Sequence, residues 1–186
     1  MGYDPYAEYP YLARFPRIDE YRNKLKITIF GSYRTSKAKK RLEKARDYLQ
    51  NLGYKQSKLV EDWVFPKNNN ELEPEEYYDL KSSYWIKKSD VLFFIFHLNS
   101  DQSGVSSEFT ELADNNIDRL WRTVVFIEVK KLGVKDPVST RISSRIKRHQ
   151  LKRVQFPRNN DRYLHKKLEG SLPNYTSRLL KELINR

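Results

Sequence analysis

The chain of 186 residues has 32% charged and 38% hydrophobic side chains, which is typical of one folded domain and excludes a low-complexity polymer. It contains no cysteine, which excludes disulfides, thiolate metal sites and cysteine nucleophiles, and we expect a reducing compartment, the cytoplasm. The net charge of +12 favours a phosphate-bearing partner. The longest apolar run, residues 91–96, is too short to span a bilayer, so no membrane partner is expected.

The first half of the chain alternates β-rich runs with segments whose apolar residues recur at helical spacing. Gly53 stands where a helix C-cap is expected, and Pro74 suits the first turn of the next helix. In that second helix Leu80 is expected to face inward with the aromatic residues around it. The predicted elements are strands at residues 26–30 and 58–63 and helices at residues 37–52 and 74–88.

The second half continues this alternation. Residues 90–98 form a nearly unbroken apolar sequence, the pattern of a central parallel strand that is buried on both faces. The alternation predicts a flavodoxin-like or Rossmann-like α/β fold of three layers, with a mainly parallel sheet of about five strands and helices on both faces. The remaining predicted elements are strands at residues 123–129 and 152–156 and helices at residues 105–116, 161–169 and 174–185.

In sheets of this kind, ligands bind beyond the carboxyl ends of the strands, where the strand order reverses. Three loops are expected at that edge, at residues 31–36, 61–63 and 99–108. The candidate substrate-binding residues in these loops are Gly31, Ser32, Arg34, Asp62, Asp101, Ser103, Gly104, Ser106 and Ser107.

The segment DQSGVSSE at residues 101–108 is the most informative part of these loops. Its glycine permits a close approach, and its serines open a helix whose free N–H groups suit a phosphate. Glu108 is expected in the first turn of that helix, where a carboxylate can attack an anomeric carbon in glycosyl transfer. Acidic residues also occur in first turns because they suit the helix dipole, so the spacing alone leaves both interpretations open.

Three segments of the sequence, IFGSY, IKKSDVLFFIF and SDQSGVSSEF, resemble the nucleoside 2-deoxyribosyltransferase family and the related 2′-deoxynucleoside 5′-monophosphate N-glycosidases. The resemblance covers roughly residues 26–130. It implies cleavage or transfer of the N-glycosidic bond of a nucleoside or nucleotide, with Glu108 as the nucleophile and Tyr33 beside it. No metal-ligand spacing occurs, and neither a metal nor another cofactor is expected.

The sequence departs from the family pattern at three places. Gln102 stands where the transferases have an aspartate, although Asp101 is adjacent, and Ser82 stands where they have an aspartate that contacts the base. Phe109 and Thr110 follow the glutamate, where family members continue with a residue and then glycine. These departures favour hydrolysis of a nucleotide over base exchange between deoxynucleosides. The layout also resembles, more loosely, TIR-type NAD-cleaving domains.

The positive charge is concentrated near the end of the chain, since residues 119–186 contain 18 Lys and Arg against 5 Asp and Glu. This distribution indicates either a surface for nucleic acid or nucleotide phosphates or a solvated face. The alternative function is therefore a non-catalytic nucleotide-sensing or nucleic-acid-associated module. Its candidate nucleic-acid-binding residues are Arg145, Lys147, Arg148, Lys152 and Arg153.

The chain is expected to comprise three segments: an N-terminal aromatic arm at residues 1–24, the α/β domain at residues 25–157 and a C-terminal helical extension at residues 158–186. Regularly spaced tyrosines interrupted by proline suggest that the arm packs on its own subunit or on a neighbour. That arrangement is compatible with a homo-oligomer.

Overall fold

The computed structural model describes residues 18–66, 73–98, 100–135 and 137–177. Its five strands are β1 (Ile27–Gly31), β2 (Ser57–Leu59), β3 (Val91–Phe96), β4 (Thr123–Val129) and β5 (Lys152–Pro157). All neighbouring strands pair in parallel, in the order β2-β1-β3-β4-β5, which is the flavodoxin-type doubly wound order. The predicted three-layer α/β fold is confirmed.

Helices cover both faces of this sheet. They include α1 (Ile18–Lys24), α2 (Ser36–Asn51), α3 (Pro74–Lys88), α4 (Ser103–Asn115), α5 (Thr140–Arg148) and α6 (Asp161–Glu169). Residues 172–177, where the last predicted helix begins, are also helical. Side chains of α2 and α6 belong to one core cluster, and side chains of α3, α4 and α5 belong to the other. The helices that follow β1 and β3, α2 and α4, thus lie on opposite faces of the sheet, and the strand order reverses between these two strands.

The alternation of side chains along β3 divides the core into these two clusters. Phe93 and Ile95 pack on the α2 side, whereas Phe94 and Phe96 pack on the α4 side. Every residue of β3 is buried, as the unbroken apolar sequence predicts for a central strand.

Two elements differ from the sequence-based expectation. β2 stops at Leu59, and residues 60–62 form a 3₁₀ turn, because the carboxylate of Asp62 accepts a hydrogen bond from the Leu59 N–H at 3.1 Å. The basic segment before β5 forms α5, for which the sequence pattern predicts no element. Ile142 and Ile146, one turn apart, anchor α5 in the core.

The predicted terminal segments are described in part. Residues 18–24 of the predicted arm form α1, and residues 1–17 lie outside the described residues, as do residues 178–185 of the last predicted helix. Leu164, Leu168 and Leu172 of the predicted extension belong to the same core cluster as β1 and β3. None of the helices in the described ranges combines the length and apolar character needed to cross a bilayer.

Candidate active site

A cavity of about 260 Å³ lies between α3 and α4. Both helices follow parallel strands, so their N-termini lie at the carboxyl edge of the sheet. The residues that α3 contributes recur at a spacing of three and four, which places them on one face of the helix. The cavity is lined by Asp79, Leu80, Ser82, Ser83 and Ile86 of α3 and by Ser107, Glu108 and Glu111 of α4.

The face of α3 that is buried differs from the sequence-based expectation. Leu80, expected to face inward, is 36% exposed and lines the cavity. The buried positions of α3 include Lys81 and Ser82 instead. Lys81 can occupy a buried position because its amine donates a hydrogen bond to the carbonyl of Glu61 at 2.9 Å. The apolar side chain of Leu80 and the side chain of Glu108 therefore line the same cavity.

Glu108 is the central titratable group of the cavity. It is the sixth residue of α4, so it lies in the second helical turn and not, as expected, in the first. The reason is that α4 begins at Ser103, two residues before the predicted start. Its half-buried carboxyl group accepts a hydrogen bond from the Ser82 hydroxyl at 2.9 Å. No Lys or Arg within the described ranges forms an ion pair with it.

The environment of Glu108 disfavours its ionised form. Burial is the main cause that raises its pKa to about 8, and the nearby charge of Asp79 acts in the same direction. The hydrogen bond from Ser82 acts against this rise. A carboxyl group with a strongly perturbed pKa that faces a cavity is a candidate for chemistry, because ordinary surface carboxylates are ionised and solvated.

The loop after β1 places three of the predicted residues differently. Gly31 is a packing residue, since a Cβ there would come within 2.6 Å of the Leu42 side chain of α2. Ser32 is buried, and its hydroxyl has no hydrogen-bond partner among the described residues. Tyr33 donates a hydrogen bond to the Ile29 carbonyl at 3.1 Å. Burial, and then the charge of Glu108, raises the pKa of Tyr33 well above its usual value, which places its ring within electrostatic range of that carboxylate.

The predicted phosphate site at the N-terminus of α4 already holds a carboxylate. Asp101 accepts a hydrogen bond from the Ser103 N–H at 2.8 Å and forms an ion pair with Arg34. These contacts lower the pKa of Asp101, the bond from Ser103 being the largest cause. A phosphate at this helix end would have to displace that carboxylate.

The other predicted loop residues divide between the cavity and the surface. Ser107 lines the cavity with Glu108, whereas Gly104 is exposed, with open space where a Cβ would be. Ser106 is half-buried in the first turn of α4. Asp62 forms an ion pair with Arg46 at 2.9 Å besides closing its own turn, so it has a structural role.

The predicted nucleic-acid-binding residues lie at the opposite edge of the sheet. Lys147 and Arg148 are exposed in the last turn of α5, and Lys152 and Arg153 begin β5, so all four lie at the amino edge. Arg145 donates two hydrogen bonds to the carboxylate of Asp114, at 3.0 and 2.6 Å. These residues are therefore not brought to the cavity of Glu108.

Sequence reasoning did not identify a buried ionic network at the carboxyl edge. The Glu128 carboxylate is fully buried and accepts hydrogen bonds from Arg41 at 2.8 Å and from the N–H groups of Leu98 and Asn159, both at 2.7 Å. Burial alone would raise the pKa of Glu128, but these hydrogen bonds lower it below its usual value. Arg41 also binds Asp161 at 2.7 Å. The sequence signal that could have indicated this network is the single acidic residue, Glu128, within the apolar strand sequence TVVFIEV.

Comparison of the chain with protein-family models, with curated proteins and with solved structures found no match. Within the described ranges there is also no group of three or more His, Asp or Glu that could hold a metal ion.

Proposed function

We propose that the protein cleaves or transfers the N-glycosidic bond of a nucleoside or nucleotide, with Glu108 as the nucleophile. The observation that carries this proposal is the carboxyl group of Glu108, which faces a cavity without a cationic partner among the described residues. The fully buried structural carboxylate of Glu128 instead accepts hydrogen bonds from three donors. Glu108 keeps the capacity to react that Glu128 lacks.

The composition of the cavity suits a sugar and the edge of a base. Leu80 and Ile86 supply apolar surface, and Ser83, Ser107 and Glu111 supply hydrogen-bonding groups. A volume of about 260 Å³ is slightly below the range for small-molecule sites, roughly 300–1,000 Å³, which favours a small ligand of nucleoside size.

The proposed reaction has two displacement steps. A Glu108 oxygen forms a bond to C1′ while the C1′–N bond breaks. The electron pair of the C1′–N bond passes to the base nitrogen, which takes up a proton. Water that enters the open cavity supplies that proton. Water then attacks C1′, the ester bond breaks, and the Glu108 carboxylate is regenerated with release of a proton. Attack by a second base in place of water would give transfer.

The test is to incubate the protein with a panel of nucleosides, nucleotides and NAD and to follow free base by chromatography. Glu108→Gln should lower the rate of base release by a factor of roughly 10²–10⁴. The matched control is Asp114→Asn, which removes an exposed carboxylate of the same helix outside the cavity and should leave the rate within about twofold. Equal rates for the wild type and Glu108→Gln would refute the assignment.

Trapping distinguishes a nucleophile from a general acid. Acid quenching during turnover, followed by mass spectrometry of the intact protein and its peptides, should detect the sugar as an ester on Glu108. Addition of a second free base should yield a new nucleoside if transfer competes with hydrolysis. Base release without any trapped adduct or exchange would indicate direct attack by water.

A second candidate function, polyanion binding at the amino edge of the sheet, is favoured by one observation. Lys147, Arg148 and Lys152 are all exposed at this edge and form no ion pair within the described ranges. An anionic partner would relieve the repulsion between these cations. The affinity for a nucleic acid should then fall steeply with salt and should drop in a Lys147→Gln, Arg148→Gln double variant. A flat salt response would exclude this function.

A further inference from the structure

A second site lies on the other face of the sheet, under the N-terminus of α2. A cavity of about 110 Å³ lies there, at the carboxyl ends of the central strands. It opens beside a shallower depression of about 470 Å³, with which it shares Lys37, Arg41 and Asn159. Because Glu108 lies on the α4 side, this site does not depend on the function proposed above.

The alternation along β3 carries His97 into this second site. Phe93 and Ile95 face α2, so His97, two residues further on, lies on the same face, where it lines the cavity and meets Phe156 edge-on. The charges of Arg41 and Glu128 both act on its ring, which confirms its place beside the buried ionic network.

His97 is buried, yet both of its ring nitrogens lack a hydrogen-bond partner among the described residues. Its exposed fraction is 1%. Buried polar groups are nearly always satisfied, so two orphaned nitrogens in one ring call for a ligand. Burial, and then the charge of Arg41, lowers the pKa of His97 to about 4, so the ring is neutral at pH 7. A neutral imidazole has one donor and one acceptor on opposite sides of the ring, so a phosphate in the cavity would bond to one of the two nitrogens.

The charge around the cavity is positive and largely uncompensated. Arg41 forms ion pairs with both Glu128 and Asp161, so this network carries one net negative charge. Further cations line the cavity or its outer depression and have no carboxylate partner within the described ranges: Lys37, Lys40, Lys44 and Arg158. The electrostatic potential at the site therefore favours an anion.

The N-terminus of α2 adds backbone donors. The Thr35 side chain accepts a hydrogen bond from the N–H of Ala38 at 3.1 Å, and the N–H groups of Ser36 and Lys37 precede the first helical hydrogen bond. This helix end differs from that of α4, where the carboxylate of Asp101 already occupies the equivalent position.

We propose that the His97 cavity binds the phosphoryl group of a phosphorylated small molecule. Its volume equals about four water volumes of about 30 Å³ each, which suits a tetrahedral oxyanion and is too small for a nucleobase. The depression beside it would hold the rest of the ligand, with Lys40 and Lys44 at its rim. The donors are the His97 ring, Lys37, Arg158 and the N-terminus of α2.

The test uses histidine NMR at pH 7 on a His149→Gln, His165→Gln variant, so that the remaining imidazole signal belongs to His97. Inorganic phosphate, pyrophosphate and adenosine 5′-monophosphate should each shift this signal in a saturable manner, and adenosine should not. Tighter binding of the monophosphate than of inorganic phosphate would identify an ester as the ligand, and the reverse would identify the free ion. An unmoved His97 signal at saturating pyrophosphate would overturn the proposal.

Charge-matched variants separate a built site from general attraction. Lys37→Gln with Lys40→Gln should weaken pyrophosphate binding, measured by calorimetry, by about tenfold or more. The control, Lys130→Gln with Lys131→Gln, removes two exposed charges at the same edge of the sheet outside the cavity and should change the affinity less than about twofold. Equal weakening in both pairs would overturn the proposal, because it would show that net charge alone attracts the anion.

Discussion

The raised pKa of Glu108 predicts a specific effect of Glu108→Gln on stability. The carboxyl group titrates at 4.5 in the unfolded reference and at about 8 in the folded protein. Between these values the folded state keeps a proton that the unfolded state releases, so the stability of the wild type falls as the pH rises. Glutamine keeps the shape and can still accept the hydrogen bond from Ser82 at 2.9 Å. The variant should therefore be more stable than the wild type, and increasingly so at higher pH.

The magnitude follows from linkage. The free energy of unfolding gained by the variant should be at most about 1 kcal/mol at pH 5, about 3 kcal/mol at pH 7 and about 5 kcal/mol at pH 8.5. These are upper limits, because the half-buried Glu108 side chain keeps some contact with water, which screens the effect. Between pH 5 and pH 7.5, the difference in unfolding free energy between Glu108→Gln and the wild type should grow by no more than about 1.4 kcal/mol per pH unit.

Urea unfolding of the wild type and Glu108→Gln at these three pH values measures the difference. Asp114→Asn provides a control of opposite sign. In the wild type, the hydrogen bonds from Arg145 lower the pKa of Asp114. The pair of Asp114 and Arg145 therefore stabilises the protein at neutral pH, and this stabilisation is lost when acid protonates Asp114. Asp114→Asn should therefore be less stable than the wild type at neutral pH. A gain for Glu108→Gln that does not change with pH would refute the reasoning, as would a loss at pH 8.5.

Three further predictions concern the remaining features. Gly31→Ala should destabilise the protein by about 1–3 kcal/mol in urea unfolding, because its Cβ would meet a side chain of α2 at 2.6 Å. Arg41→Ala should cost about 3–5 kcal/mol, because it leaves the buried charge of Glu128 without its cation, and an unchanged urea midpoint would contradict this role. If Glu108 is the nucleophile, kcat/KM should rise with pH to a midpoint of about 8, and Ser82→Ala should move that midpoint upward. A falling limb at that pH would instead assign Glu108 as a general acid.

The sequence was sufficient for the elements that depend on hydrophobic periodicity. α3, β4 and α6 begin and end at the predicted residues, and β3 lies within the predicted central strand. Buried strands such as β3 and β4 can be recognised as short unbroken apolar runs, and helices from apolar residues that recur about every 3.6 residues, so both patterns can be read locally. α5 escaped prediction because only Ile142 and Ile146 mark its buried face among many basic residues.

The candidate site could be predicted only in part. The loop chemistry indicated Glu108 as a candidate, and its resemblance to a known family pointed to the same residue. The loop chemistry did not indicate the hydroxyl that Glu108 contacts, because Ser82 lies 26 residues away on another helix. Only the resemblance drew attention to Ser82, as a departure from the family pattern. Likewise, no local pattern pairs Arg41 with Glu128, which are 87 residues apart.

The sequence by itself determined that this protein is an α/β domain with a buried central strand and acidic and glycine-containing loops at one sheet edge. Only the tertiary structure decided that the Asp101 carboxylate binds the Ser103 N–H at the start of α4 and that Glu108 faces a cavity. It also decided that the His97 ring, on the opposite face, has no hydrogen-bond partner among the described residues. The physical reason is that periodicity specifies which side chains are removed from water, whereas their partners depend on the order in which distant strands pair. That order brings the loops after β1, β3, β4 and β5 to one edge and divides their side chains between two faces.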